Sequence, residues 1–191
     1  MKDLRKVTVN NNNEKQFPGC SGEHKLQKKY KTQESAEKFY NREVYNYITD
    51  GMREFISQQR MLFIATSDAN GECDSSFRHA EKGFVSVVNT KKLIYPEFAG
   101  NGVMASLGNI SENPHIGMLF IDFFNSRSGL HINGNAKIVD NELLEKNLEL
   151  PEYEQVKNLM QKLPQKQVTW VIVDVEEAYI HCSKNIPQLF T

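Results

Sequence analysis

The sequence predicts a mainly β protein, a small antiparallel barrel with helical additions, and three observations carry that expectation. Six or seven segments of strand character fall between residues 61 and 181, most of them in consecutive pairs separated by short turns. One short helix interrupts them, within residues 94–114. The chain is 191 residues long and 39% hydrophobic, enough to bury the core of one domain.

The N-terminal third precedes the strands. Residues 1–31 form a basic polar arm with eight Lys or Arg against three Asp or Glu, a net of +5, and its run "VNNNNEKQ" is too poor in apolar side chains to anchor itself, so its start is expected to be mobile. From Thr32, a plausible N-cap, "TQESAEKFYNREVYNYI" places Ala36, Phe39, Tyr40, Val44, Tyr47 and Ile48 at helical spacing. A second helix restarts in "TDGMREFISQQ" after Gly51, with Met52, Phe55 and Ile56 on one side. The organisation expected is an arm over 1–31 and a single domain over 32–191, with N-terminal helices in 32–59.

The period then changes to two. "MLFIATS" and "ECDSSF" are strands joined by the turn "DANG"; "GFVSVV" and "LIYPE" are strands joined by "NTKK". "HIGMLFID" and "LHINGNAKIV" follow across the polar loop "NSRSG". "NELLEKNLELPEYEQVKNLMQKLP" reads as two short helices divided at Pro151, and "VTWVIVDVEEAYIH" as a long last strand.

Composition removes several function classes. A net charge of −1 gives no global attraction to nucleic acid or an anionic membrane. No apolar run has the length to span a bilayer and no secretory leader is visible, which predicts a cytoplasmic protein. Cys20, Cys73 and Cys182 have no C-x-x-C spacing and read as reduced thiols. His24, His79, His115, His131 and His181 lack local metal-ligand spacing, so no metal is expected, and no G-x-S-x-G elbow supports a hydrolase.

The stretch "IYPEFAGNGVMASLGNISENP" is the most informative. Val103, Leu107 and Ile110 are spaced along one helix face, while Ser106, Asn109 and Asn113 line another without charge, which suggests a partner other than water. "GNGVMAS" has no lysine for a phosphate loop, yet its Gly-Asn-Gly lead brings free N–H groups and the helix dipole to one point where an anion is favoured. Arg78, flanked by Ser75 and Ser76, could meet a phosphate with two hydrogen bonds, or form an ion pair with Asp74 or Glu81. Lys82, Lys91 and Lys92 read as solvated turn charges.

The run "MLFIATSDANGECDSSFRHAEKGFVSVVNTKKLIYPEFAGNGVMASLGNISENPHIGMLFID", followed by "GLHINGNAKI" and "EEAYIHCSK", resembles the pyridoxamine 5'-phosphate oxidase-like family of FMN-binding split barrels, in the branch related to the oxidase. The resemblance covers roughly residues 22–187. It implies an antiparallel split barrel, a homodimer, and two FMN sites between subunits. Asn101, Ser106 and Asn109 would meet the FMN phosphate at the helix N-terminus, with Ser76 and Arg78 beside them. Phe84 and Val85 would bring strand backbone to the isoalloxazine edge, and Tyr95 and Pro96 would flank the ribityl chain. The match departs from the oxidase proper, which carries an arginine and a lysine where this chain has Gly83 and Val88, and an Arg-Lys pair at the helix entry. Phosphate binding would therefore rest on Arg78 and neutral donors. Of the basic residues that grip the oxidase substrate's phosphate, only Lys184 in "HCSK" offers a counterpart.

The expectation is an FMN-binding flavoprotein, an FMN-dependent oxidoreductase for a small molecule, with NADPH or NADH as a candidate partner and no nucleic acid or membrane partner. His131, His181 and Lys184 are the polar candidates beside the flavin, without an assigned catalytic role. The alternative is a non-catalytic module carrying or sensing flavin, deazaflavin or haem.

Overall fold

The computed structural model describes residues 8–9, 15–163, 166–181 and 183–189. They form two compact units, residues 1–46 and 47–191. In the first, β1 (Thr8–Val9) pairs antiparallel with β2 (Lys15–Gln16), and α1 (Ser21–Tyr30) and α2 (Gln33–Glu43) follow. The expected mobility of the arm concerns residues 1–7 and 10–14, outside the described residues. Helix α1 was not foreseen: it is polar all round and buries no residue, so it has no apolar stripe to detect. Its N-terminus is held by a capping box in which the Cys20 thiol accepts from the Glu23 N–H and Glu23 reaches back. Helix α2 ends at Glu43 instead of continuing to Ile48, and Thr32 precedes it without a side-chain cap bond.

The second unit begins with α3 (Asp50–Ser57), capped by the Thr49 hydroxyl on the Met52 N–H at 3.3 Å. Seven strands follow: β3 (Met61–Ser67), β4 (Cys73–His79), β5 (Ser86–Asn89), β6 (Lys92–Glu97), β7 (His115–Asp122), β8 (Ser128–Val139) and β9 (Thr169–His181). They build one antiparallel sheet in the order β4-β3-β7-β8-β9-β6-β5. Its curved inner side carries Leu62, Ile64, Leu93, Met118, Phe120, Leu130 and Ile132, none more than 2% exposed. The expected mainly β architecture with helical additions is what forms.

Between β6 and β7 lies α4 (Ala105–Glu112), which packs against β3, β4 and β8. Helices α5 (Leu144–Asn147) and α6 (Leu150–Met160) cover the outer side of β6, β8 and β9, where Ile94, Val139, Leu144, Leu148, Val156, Trp170 and Ile172 form a continuous apolar cluster. Pro151 does not divide these helices. It stands in the first turn of α6, where its missing N–H would have had no intrahelical partner. Among the described residues no helix is long and apolar enough to cross a membrane.

Candidate functional site

The period-two pattern of β4 turns Asp74, Ser76 and Arg78 inward, opposite Thr66, Ile64 and Leu62 of β3. Tyr95 and Glu97 face the same interior from β6. Arg78 therefore meets neither Asp74 nor Glu81. Its Nε donates to both carboxylate oxygens of Glu97, at 2.8 and 3.0 Å, and its Nη1 donates to the Ser76 hydroxyl at 2.8 Å. Glu81 instead lies 3.4 Å from Arg60. The ion pair links the first and sixth strands of the sheet order, so it also clasps the open side of the barrel. Burial pushes the Glu97 carboxyl above the usual carboxylate range, and the Arg78 charge and hydrogen bonds offset this only in part.

Helix α4 is aimed by its asparagines. Asn109 Nδ2 donates to the Thr66 hydroxyl at 3.0 Å and Asn113 Nδ2 to the Ser67 hydroxyl at 2.8 Å, so the uncharged face that suggested a ligand is spent partly on β3. Asn109 thus anchors the helix on β3. Val103 precedes the helix and is 70% exposed, so of the three expected apolar residues Leu107 and Ile110 are the ones left to pack the helix on the barrel. Asn101 folds the entry loop by accepting from the Val103 N–H at 3.0 Å. Gly100 and Gly102 sit at φ of +51° and +79°, conformations that a Cβ disfavours, and Met104 enters the helix in the left-handed region.

The first intrahelical bond of α4 runs from the Gly108 N–H to the Met104 carbonyl, which leaves the N–H groups of Ala105, Ser106 and Leu107 ahead of the ladder. Among the described residues no side chain caps this end. Ser106 is 2% exposed and its hydroxyl is buried without a hydrogen-bond partner; the Tyr95 hydroxyl is the other described side-chain group in that condition. Buried polar groups are nearly always paired, and these two hydroxyls stand on α4 and on the inward face of β6.

The other expected site residues diverge. Phe84 and Val85 lie in the turn before β5, which starts at Ser86, and both are buried. They line clefts of about 300 and 340 Å³ beside α6 and α3. The outer edge of β5 is already engaged, because Arg53 Nη1 and Gln155 Nε2 both donate to the Val87 carbonyl. Tyr95 is fully buried, and burial followed by the Glu97 charge raises its phenol well above its ordinary value. Pro96, opposite Trp170, points to the α5–α6 side instead of the barrel interior. Lys92 is not a free turn charge, since it is half-buried 3.9 Å from Glu152.

Two of the polar candidates come together. His131 Nε2 and His181 Nδ1 are 2.9 Å apart, with His131 stacked on Tyr179 at 4.6 Å between ring centroids. A Cβ on Gly129 would lie 2.2 Å from the His181 ring, so the glycine makes room for it. Burial, and then the His181 charge, hold His131 below its ordinary pKa. Lys184 is exposed beyond the end of β9, and Cys182 lies outside the described residues. Among the described residues no group of three or more His, Cys, Asp or Glu could hold a metal ion.

The sequence matches the family described as Pyridoxamine 5'-phosphate oxidase over residues 48–182, well over half of the chain. The chain belongs to the pyridoxamine 5'-phosphate oxidase family. Among solved structures, HupZ of Group A Streptococcus superposes on this family member with a TM-score of 0.51 and 24% identity, covering 75% of this chain and 99% of that one. A candidate pyridoxamine 5'-phosphate oxidase of Lactobacillus delbrueckii reaches 0.50 with 16% identity, covering 70% of this chain and 94% of that one. At these identities the likeness is one of fold. No curated protein matches the sequence.

Glu97, Thr66 and Tyr179 escaped the sequence reading. Glu97 carried a usable signal: in "YPEF" it shares the inward face of Tyr95 at period two, and an acid on a buried face needs a cation.

Proposed function

We propose that this protein binds FMN and acts as an FMN-dependent oxidoreductase on a small organic molecule, with NADPH or NADH as electron donor. The observation that carries the reading is the buried, unpartnered Ser106 hydroxyl at the bare N-terminus of α4. Hydroxyl, backbone N–H groups and helix dipole together suit a phosphate monoester. Ser106 and the N–H groups of Ala105 to Leu107 would hold that phosphate, with Ser76 and Arg78 as further donors. FMN when bound supplies two-electron redox chemistry by itself. The chain's own part is to hold the ligand, exclude water and present polar groups, among them His131 and His181, whose ring nitrogens are 2.9 Å apart.

The reading includes a homodimer. Phe77, Phe63, Leu119, His131 and Tyr179 stand in one register row across β4, β3, β7, β8 and β9, on the outer side of the sheet. Phe77 is 52% exposed, and such a row supports a second copy as its cover.

The test is the visible spectrum of the purified protein, with cofactor released by heat identified chemically. Flavin bands and free FMN are expected, and Ser106→Ala should weaken FMN binding by about 1–3 kcal/mol without unfolding the protein. A haem or deazaflavin spectrum, or failure to take up added FMN, would overturn the cofactor. Bound flavin that neither NADPH nor NADH reduces would make the protein a carrier or sensor.

A further inference from the structure

Glu97 is 5% exposed, and among the described residues the guanidinium that reaches its carboxyl is that of Arg78, whose Nε lies 2.8 and 3.0 Å from the two oxygens. A buried carboxylate persists where a cation matches it. Here the matching cation is the one the phosphate site would draw on, and Ser76, the other inward donor of β4, is bonded to the same guanidinium. One edge of Arg78 cannot serve a carboxylate and a phosphate dianion together, because the two anions would repel each other in a poorly solvated space.

We propose that Glu97 is a built-in competitor for Arg78: an arriving phosphate monoester takes the guanidinium, and Glu97 releases it by taking up one proton from solvent. The inference rests on the FMN reading above and adds to it a coupling between ligand binding and pH. In the exchange the carboxylate becomes a carboxylic acid, the phosphate keeps both charges, and no electron moves.

The surroundings suit the protonated acid. Tyr95 stands two residues earlier on the same face of β6, and its buried hydroxyl has no hydrogen-bond partner among the described residues. The phenol is itself held protonated by burial and by the Glu97 charge, which excludes it as the source of the proton. Among the described residues the titratable groups that face Glu97 are Arg78 from β4 and Tyr95 from its own strand; β9 opposes it with Thr169. Burial already favours the protonated form of Glu97, and loss of Arg78 to a phosphate removes the influence that lowers its pKa. Ligand affinity should therefore fall as pH rises between the free and bound pKa of Glu97, by up to about tenfold per unit for one proton.

The experiment compares FMN and riboflavin binding by flavin fluorescence in the full chain and in Glu97→Gln, from pH 5 to 9. A phosphate monoester has a second pKa near about 6, and this ionisation is common to both proteins, so their affinity ratio isolates Glu97. The expected result is that Glu97→Gln binds FMN at least about tenfold tighter at the alkaline end, with the gap closing as pH falls. Riboflavin, which has no phosphate, should bind both proteins alike. Calorimetry of the unaltered protein in two buffers of different ionisation enthalpy should also show proton uptake with FMN, which keeps the test independent of the variant's folding. Parallel FMN profiles for the two proteins, or no proton uptake at any pH, would overturn the competitor role while leaving FMN binding intact. Failure of both proteins to bind FMN at any pH would overturn the FMN reading and this inference with it.

Discussion

Asp122 folds the loop between β7 and β8 around its own carboxylate, which accepts from the N–H groups of Phe124, Asn125 and Ser126 and from the Ser126 hydroxyl at 2.8–3.0 Å. Partial burial opposes its charge, but these bonds outweigh it and hold the carboxyl down to about 2, against an ordinary 3.8. Its contribution is therefore present above pH 3.8 and is lost as pH falls toward 2. Solvent limits its size to roughly 1 kcal/mol, so Asp122→Asn should lower the Tm at pH 7 by about 2–4 °C, and this difference should shrink in acid. His131 works in the opposite sense to a histidine that gains a partner. Its folded pKa lies below 6.5, so the unfolded chain takes up the proton first and stability declines as pH drops through 6.5 toward the folded value. His131→Phe, which keeps an aromatic ring against Tyr179, should flatten Tm between pH 7 and 5.5; unchanged slopes would remove His131 from the account. The Asp122 turn is a local pattern of acid followed by small polar residues and can be seen in "DFFNSRS", whereas the environment of His131 depends on a neighbour 50 positions away and cannot.

At the scale of elements, α4 is the piece that links fold to site. Ile110 is 4% exposed and is the helix's deepest apolar anchor. Ile110→Ala should cost about 2–5 kcal/mol in urea unfolding, and Asn113→Ala, which removes the bond to Ser67, about 0.5–1.5 kcal/mol. A cost for Ile110→Ala below about 1 kcal/mol would mean that the helix does not need that anchor. The strands β3 and β7 could be bounded from sequence because one face is buried and alternation marks it. Strand β5 could not: Phe84 and Val85 are buried whether or not they belong to a strand, so hydrophobicity alone moves its start. Helix α1 lacked a signal altogether, being held by its caps and by Gln27 and Glu23 on the Tyr40 hydroxyl instead of by an apolar face.

For the whole molecule, the proposed dimer makes ligand and assembly one equilibrium. If FMN lies between two copies, serial dilution should release flavin in step with dissociation, measured by flavin fluorescence beside sedimentation. A monomer that retains its flavin would overturn the shared site. Phe77→Asp, in the exposed row of the outer sheet face, should shift the same curve to higher protein concentration by placing a charge where an apolar cover is expected.

The sequence by itself determined the strands, their pairing into consecutive hairpins, the short helix with its glycine entry, and the family, because alternation, turn chemistry and motif order are all properties of neighbouring residues. Only the tertiary structure decided what the site residues touch. Arg78 turned from Asp74 and Glu81 to Glu97 because β4 and β6 meet across the open side of the barrel, and His131 met His181 because of the register of β8 on β9. Register and closure are set by the burial of a whole inner face at once, and no stretch of sequence short enough to read as a motif contains that information.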